Sequence, residues 1–315
     1  MAVQEAAMNL IDIHKTFKTD DECVEYLAGL RWPNGVRCVT CGTDKVKQYA
    51  SPTDKQPNRK IYQCQEPTCQ QQFTATSGTI FHDTHLPLTK WFMALSIIVD
   101  AKKGISAKQL QRHLDTGYKT AWYLAHRIRK AMEETDRPFL SGTVEIDETY
   151  IGGKAKIADR YKNKEVVIGL RQRGGPLRFV HAKDAKANTI YDIIAEHVDK
   201  DVEFIMTDEN PVYNFETTKF RAATHRRIKH KDRVYVRGDV HTNTVENSFS
   251  LLKRGITGNF HRVSIKHLGR YLSEFEYRFN RRENPNRFEE TLARMAKAKP
   301  MPFEQLTSDN SEACI

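Results

Sequence analysis

The sequence predicts a mixed α/β chain of two or three folding units, on three observations. Its 315 residues exceed one ordinary small domain. Four of its six cysteines fall within Cys38–Cys69. Near Ser141-Gly142 the hydrophobic period changes from the roughly 3.6 residues of a helix to the roughly two of a strand.

Residues 1–30 carry Met8, Leu10, Ile11, Ile13, Phe17, Cys23, Tyr26 and Leu27, which suit one or two short helices leading into a cysteine module at 31–80. Within that module Tyr49 and Lys60–Gln63 read as short strands. From Leu86 to Ala101, Leu88, Phe92, Leu95, Ile98 and Val99 share one helical face, and Thr89 is placed to cap it. Helices at Ser106–His113 and Lys119–Met132, joined by the turn Leu114–Gly117, complete a helical domain over 86–135. Thr143–Tyr150, Val166–Arg171 and Leu177–Ala182 then read as strands, the first stopped by Gly152-Gly153 and the last two separated by the turn Arg173–Pro176. Ile190–Val198 is an amphipathic helix, Val202–Met206 an apolar strand ending at Thr207-Asp208, and Ala222–His230 a candidate further strand. Asn243–Arg254 and Ile265–Arg281 read as long helices, closing a domain over 141–285. Residues 300–315 lack periodicity and are expected to form a disordered tail.

Fifty Lys and Arg against 40 Asp and Glu give a net charge of +10. The stretch Lys219–Arg282 holds 16 Lys and Arg against five Asp and Glu, a net of +11 that carries the whole excess. A solvated basic face is the plain reading of such a stretch, and a polyanionic partner the functional one. No stretch reaches the roughly 18 to 20 apolar residues of a membrane helix; the longest run, Trp91–Val99, continues into Asp100, Lys102 and Lys103. Glu5 stands where a secretory leader is basic. The expectation is a cytoplasmic, nucleoid-associated protein with no membrane partner.

Cys38 and Cys41, followed by Gly42, form one knuckle; Cys64 and Cys69 form a wider one, with 22 residues between the pairs. Two such knuckles can offer four thiolates to a tetrahedral zinc ion. A reducing compartment, and a segment too small for a core of its own, favour metal over disulfides. His82 and His85 are nearby substitutes that a four-thiolate site does not need. Cys23 and Cys314 are left over as inert thiols.

In the helical domain, Leu110 and Leu114, then Ala121, Leu124, Ile128 and Met132, form the inward faces of its last two helices, with Gly117 in the short turn between them. This is the pattern of a helix-turn-helix. Lys119, Arg127, Arg129 and Lys130, with Tyr118 and Tyr123, then make an outward face suited to a DNA major groove. A three-helix linker with a solvated basic face is the alternative.

Asp147 and Asp208 end strand-like runs, and Glu246 lies on the helix that begins at Asn243. Three such acids can hold two Mg²⁺ or Mn²⁺ ions about 3.5 to 4 Å apart, one activating the attacking oxygen of a phosphodiester reaction and one stabilising the leaving oxygen. Glu145, Glu148 and Glu209 are equally acidic neighbours, and strand alternation does not choose between Asp147 and Glu148. Lys253, seven residues after Glu246, returns to within about 20° of the same helical face and can grip a phosphate there. Asn243, Asn247 and Arg254 are further candidates for DNA contact.

Several motifs, in order, resemble insertion-sequence transposases of the DDE superfamily, in particular ISXO-type members with an N-terminal zinc ribbon. They are Arg31-Trp-Pro-Asn-Gly-Val-Arg-Cys38-Val-Thr-Cys41-Gly42, Val144-Glu-Ile-Asp147-Glu-Thr-Tyr-Ile-Gly-Gly-Lys154 and Thr207-Asp208-Glu209. The likeness continues through His241-Thr-Asn-Thr-Val-Glu246, Lys253-Arg254-Gly255, His267–Leu272 and Arg278–Arg282. It implies an RNase H-like catalytic domain preceded by a zinc ribbon and a helix-turn-helix. By motif position Asp147 and Asp208 match the first two catalytic acids and Glu246 the third, where some members carry asparagine. Hydrolysis at an element end, followed by attack of the freed 3′-hydroxyl on target DNA, is the implied reaction. Terminal inverted repeats and target DNA are the implied partners, bound by a homodimer or higher oligomer. Two departures stand out: the wide second knuckle, and Phe249 where relatives often have tryptophan. A non-enzymatic DNA-binding regulator derived from a transposase is the rival reading, and a structure-specific nuclease a third.

Overall fold

The computed structural model describes residues 8–50, 60–152, 164–213, 225–227 and 242–308. The described residues form two compact units, one from those up to Met132 together with 283–308, the other from Glu133–Arg282.

In the first unit, α1 (Leu10–Thr16) and α2 (Asp20–Arg31) each begin at a capping box, Asn9 with Asp12 and Thr19 with Glu22. Side chains thereby satisfy N–H groups that a helix start leaves open. Phe17, Tyr26 and Phe92 meet edge to face, tying both helices to α3 (Leu88–Asp100). Thr89 does not cap α3. Pro87 holds that position, and the Thr89 N–H donates to Asp20 at 3.2 Å. A carboxylate from α2 replaces the expected local cap.

The cysteine module is a three-stranded antiparallel sheet of β1 (Val46–Ala50), β2 (Lys60–Cys64) and β3 (Gln72–Phe73). Trp32, Tyr62 and Phe73 fill its small core. Further on, α4 (Ala107–Leu114) is capped by Ser106 and ends in the left-handed Asp115, and α5 (Tyr118–Met132) follows.

Two later helices return to this unit: α9 (Arg287–Lys297) and α10 (Phe303–Thr307). Phe288, Leu292, Met295, Met301 and Leu306 are buried, Arg294 donates to the Ala131 carbonyl at 3.1 Å, and the Tyr123 hydroxyl donates to the Met301 carbonyl. The expected disordered tail is therefore corrected over 300–308. A segment this short leaves no periodicity to read, yet two apolar anchors hold it. Residues 309–315 lie outside the described residues.

The second unit is built on a five-stranded sheet in the order β6-β5-β4-β7-β8. β4 (Thr143–Gly152), β5 (Lys164–Gln172) and β6 (Leu177–Ala182) are antiparallel neighbours, while β7 (Phe204–Thr207) and β8 (His225–Arg227) run parallel to β4. Of the strand expected at 222–230, the flanking residues lie outside the described ones. Side chains alternate across the strands. Val144, Ile146, Ile168 and Leu170 meet Ile190, Ile193 and Ile194 of α6 (Ala187–His197) on one face. Ile151, Val167 and Phe179 meet α7 (Asn243–Gly255) and α8 (Ile265–Asn280) on the other.

The edge strand β6 is closed by α8. The Asn280 amide exchanges hydrogen bonds with the Leu177 backbone at 2.7 and 3.0 Å, and Glu276 accepts the Phe179 N–H at 3.0 Å. Such cover keeps an edge from pairing with another chain. Arg278 pairs with Glu274 at 3.0 Å and Arg281 with Glu134 at 2.7 Å. These two cations of the basic stretch are thus held within the unit. Among the described residues no helix is long and apolar enough to cross a membrane.

Candidate active site

β4 carries Glu145, Asp147 and Glu148, and alternation sends them to two faces. Glu145 and Asp147 lie on the α7 side. Glu148 turns to the other, where it accepts from the Tyr213 hydroxyl and from Asn210 Nδ2 at 3.0 Å. Of the two acids that pattern alone left equivalent, Asp147 is the one facing the helix that bears Glu246.

Asp208 follows β7. In the parallel pairing Glu145 stands opposite Met206, so the same register carried two residues further sets Asp208 beside Asp147. Across β4 on the other side, Asp147 pairs with Gly169 of β5. A Cβ at Gly169 would lie 2.6 Å from Phe249 Cζ and 2.9 Å from Val245 Cγ2. The missing side chain is what lets α7 lie against the sheet at the level of Asp147.

Burial, then the negative charges of Glu148 and Asp208 and more weakly Glu246, push the Asp147 carboxyl up to about 8. The charges of Asp208 and, more weakly, Glu246 are thus felt at Asp147. The ligand atoms of the three acids do not close to the spacing of the thiols below: among the described residues, the four cysteines are the one group of three or more ligating side chains gathered within 4.8 Å. Glu246 is exposed in the first turn of α7 and accepts from Thr242 Oγ1 at 2.9 Å. Lys253, two turns on, is exposed along its side chain; partial burial of its ammonium lowers its pKa and the nearby Asp147 opposes that fall. Asn243 opens the helix. Arg254 is exposed but spends its Nε on the Ser250 carbonyl at 3.1 Å. His241 and Lys154, named in the motifs, lie outside the described residues.

The sequence reading named Glu145 only as an acidic neighbour and did not name Tyr213. Glu145 is fully buried and accepts from the backbone N–H groups of Thr244 and Val245, while Tyr213, also fully buried, holds Glu148. An acid two positions before Asp147 in an otherwise apolar strand was a signal for the first. Nothing local marked the second.

In the ribbon, Cys38 Sγ lies 3.7 Å from Cys69 Sγ and Cys41 Sγ 3.6 Å from Cys64 Sγ. Zinc–sulfur bonds of about 2.3 Å set tetrahedral sulfur pairs about 3.8 Å apart, so the donor set fits that ion. Gly42 takes φ +76° and closes the first knuckle. The wider second knuckle absorbs its extra residues in a turn, with the Cys69 and Gln70 N–H groups both bonded to the Glu66 carbonyl. Burial opposes ionisation of Cys38, but the N–H groups of Cys41 and Thr40 and the adjoining thiols outweigh it and bring Cys38 down to about 6. His82 and His85 are not part of this group. Cys23 is buried, and burial pushes its thiol up to about 12, so it stays protonated. Cys314 lies outside the described residues.

One expectation on α5 is corrected. Arg127 and Arg129 are buried, not outward-facing. Arg127 donates to the His82 carbonyl at 2.8 Å and lies over the rings of Trp91 and Tyr123. The helical wheel missed this because the segment bearing His82, and Trp91 of α3, meet the Arg127 side of α5. Lys119 is exposed at its first turn, and Lys130 is half-buried.

Comparison with known proteins gives both units a class. A family model described as a transposase zinc-ribbon domain matches residues 18–72, and one described as an ISXO2-like transposase domain matches residues 139–280. The two parts are those of an insertion-sequence transposase. A protein of Halobacterium salinarum described as an uncharacterized protein in transposable element ISH50 is 31% identical over 283 residues, 84% of this chain and 92% of its own. The chain belongs to the ISXO2-like transposase family.

Proposed function

We propose that this transposase cuts and joins DNA strands at a centre formed by Asp147, Asp208 and Glu246. The observation that carries the reading is Asp147 on β4 with Asp208 directly after the parallel neighbour β7, and Glu246 on the helix docked against the Asp147 face. The strand order, three antiparallel strands followed by two parallel ones, supports an RNase H-like core. Mg²⁺ or Mn²⁺ bound there would stabilise charge on the attacking and leaving oxygens, and hard carboxylate oxygens suit such ions as thiolates suit zinc.

The residues divide the work by their chemistry. Asp147 would give up its proton in exchange for a bound cation, and Lys253 would hold a DNA phosphate beside it. Water adds to the phosphorus at an element end as the 3′-oxygen leaves; that 3′-hydroxyl then forms a bond to a target phosphorus, displacing a target 3′-oxygen. Recognition of terminal inverted repeats falls to the ribbon and to α4–α5 read as a helix-turn-helix, with Lys119, and at its edge Lys130, meeting phosphate. Asn243 and Arg254 line the approach along α7. Pairing two element ends calls for at least a dimer, acting on DNA in the cytoplasm.

Incubation of the zinc-loaded chain with Mg²⁺ and DNA carrying its own flanking repeats tests this, beside Asp208→Asn. Cut and joined products from the wild type alone are expected. Repeat binding without cutting in both would overturn the enzyme reading in favour of a regulator, and cutting without joining would favour a nuclease.

A further inference from the structure

We infer that Glu145 and Glu148, the acids either side of Asp147 on β4, are positioning residues for cation binding, each tying down the element that brings one of the other two acids to Asp147. The inference rests on the three-acid centre proposed above.

Glu145 belongs to α7. Its Oε2 accepts the Thr244 N–H at 2.9 Å, the Thr244 hydroxyl at 2.7 Å and the Val245 N–H at 3.1 Å, and its Oε1 accepts Arg173 Nε at 2.8 Å. Those N–H groups lie in the first turn of α7, where a backbone donor has no acceptor within its own helix, and Thr242 at the N-cap supplies none from its side chain. The cap of α7 therefore comes from β4, and it grips the residues just before Glu246. With four donors on a carboxylate of 0% exposure, Glu145 has no open oxygen for a cation. Arg173 balances its charge, and the negative end suits a helix N-terminus.

Glu148 belongs to the Asp208 loop. Asn210 Nδ2 donates to its Oε1 at 3.0 Å and the Tyr213 hydroxyl to its Oε2, while the Asn210 N–H donates to Asp208 Oδ1 at 2.9 Å. Asn210 thus bridges Glu148 to Asp208, and the 3-10 turn Pro211–Tyr213 anchors the far end. The Val144–Glu148 segment carries one acid of the centre and the attachment points of the other two.

The test is Mn²⁺ binding by the zinc-loaded full chain without DNA, read by electron paramagnetic resonance, for wild type, Glu145→Gln, Glu148→Gln and Tyr213→Phe. Each variant is expected to weaken binding about 10- to 100-fold, as loss of a residue orienting metal ligands does, with circular dichroism at the assay temperature unchanged. Tyr213→Phe leaves every carboxylate in place, so its loss of affinity separates positioning by Glu148 from direct ligation. Should a glutamine variant fail to fold, Thr244→Ala removes one donor to Glu145 and is expected to act in the same direction. Wild-type affinity in the folded variants overturns the inference while leaving the acid centre standing. Wild-type protein that binds no Mn²⁺, or Asp147→Asn that binds it equally well, overturns the centre itself and this inference with it.

Discussion

Gly169→Ala places one carbon between the sheet and the helix that bears Glu246. Its Cβ would meet Phe249 Cζ at 2.6 Å, against a comfortable carbon–carbon separation of about 3.5 to 4.0 Å, so the ring has to recede by about 1 Å. Phe249 has little room to do so: it is 5% exposed and stacked on Phe179 at 5.8 Å. Overpacking of this kind costs about 1–3 kcal/mol. The alanine returns about 0.4–1 kcal/mol by stiffening the unfolded chain, for a net loss of about 1–2 kcal/mol. At about 2–4 °C per kcal/mol for a domain of this size, the melting temperature of the second unit falls by about 2–8 °C. Calorimetry on the full chain reads the change. A second substitution, Phe249→Leu, is expected to recover part of it, since the two share one contact and do not add. Unaltered melting in Gly169→Ala would refute the argument that the missing Cβ is what seats α7.

Asp147 makes stability depend on pH with a definite sign. Its carboxyl is held up to about 8 by burial and by the neighbouring acids, so the folded state keeps a proton that the unfolded state has lost. This contribution is full below about pH 4, the ordinary range for the unfolded side chain, and is lost as pH rises through about 8, each pH unit between those limits removing about 1.4 kcal/mol. A bound cation replaces the proton, so thermal stabilisation by Mg²⁺ should be larger at pH 8.5 than at 6.5 and flat in Asp147→Asn; the opposite trend would contradict the site. Elemental analysis should find zinc at about one ion per chain, and Cys38→Ser or chelation should collapse the Trp32–Tyr62–Phe73 cluster, seen in tryptophan emission; an intact ribbon without zinc would contradict this. Arg127→Ala should lower the melting temperature of the first unit and leave the salt dependence of DNA binding unchanged. Lys119→Ala should do the reverse, reducing that slope by about 0.9.

What the sequence disclosed and what it hid divide along the range of the interactions. Strand alternation from Thr143 to Ala182 and the apolar stripe of α3 are local periodicities, and they were legible. So were the paired cysteines, because tetrahedral thiolate binding dictates short spacings. Alternation did not choose Asp147 over Glu148, which motif position did, since the choice depends on which face α7 covers, about 100 residues away in the chain. Arg127 misled for the same reason: its wheel position reads as outward, but the His82 carbonyl, 45 residues back, and Trp91 of α3 take up its guanidinium. Thr89 lost its capping role to Asp20, 69 residues away. Helix α9 did leave a signal, Phe288, Leu292 and Met295 at helical spacing, to which the sequence reading assigned no element.

The central claim is that Asp147, Asp208 and Glu246 act as one cation-dependent centre for cutting DNA. Single-turnover nicking of repeat-bearing DNA at saturating Mg²⁺ measures it most directly, for wild type, Asp147→Asn, Asp208→Asn and Glu246→Gln, with repeat binding followed in parallel. Each substitution is predicted to lower the nicking rate by at least about 100-fold, the scale on which loss of charge stabilisation at a reacting centre is felt, while binding stays within about twofold on the scale of energies that surface changes move. Nicking at the wild-type rate in all three variants would contradict the account.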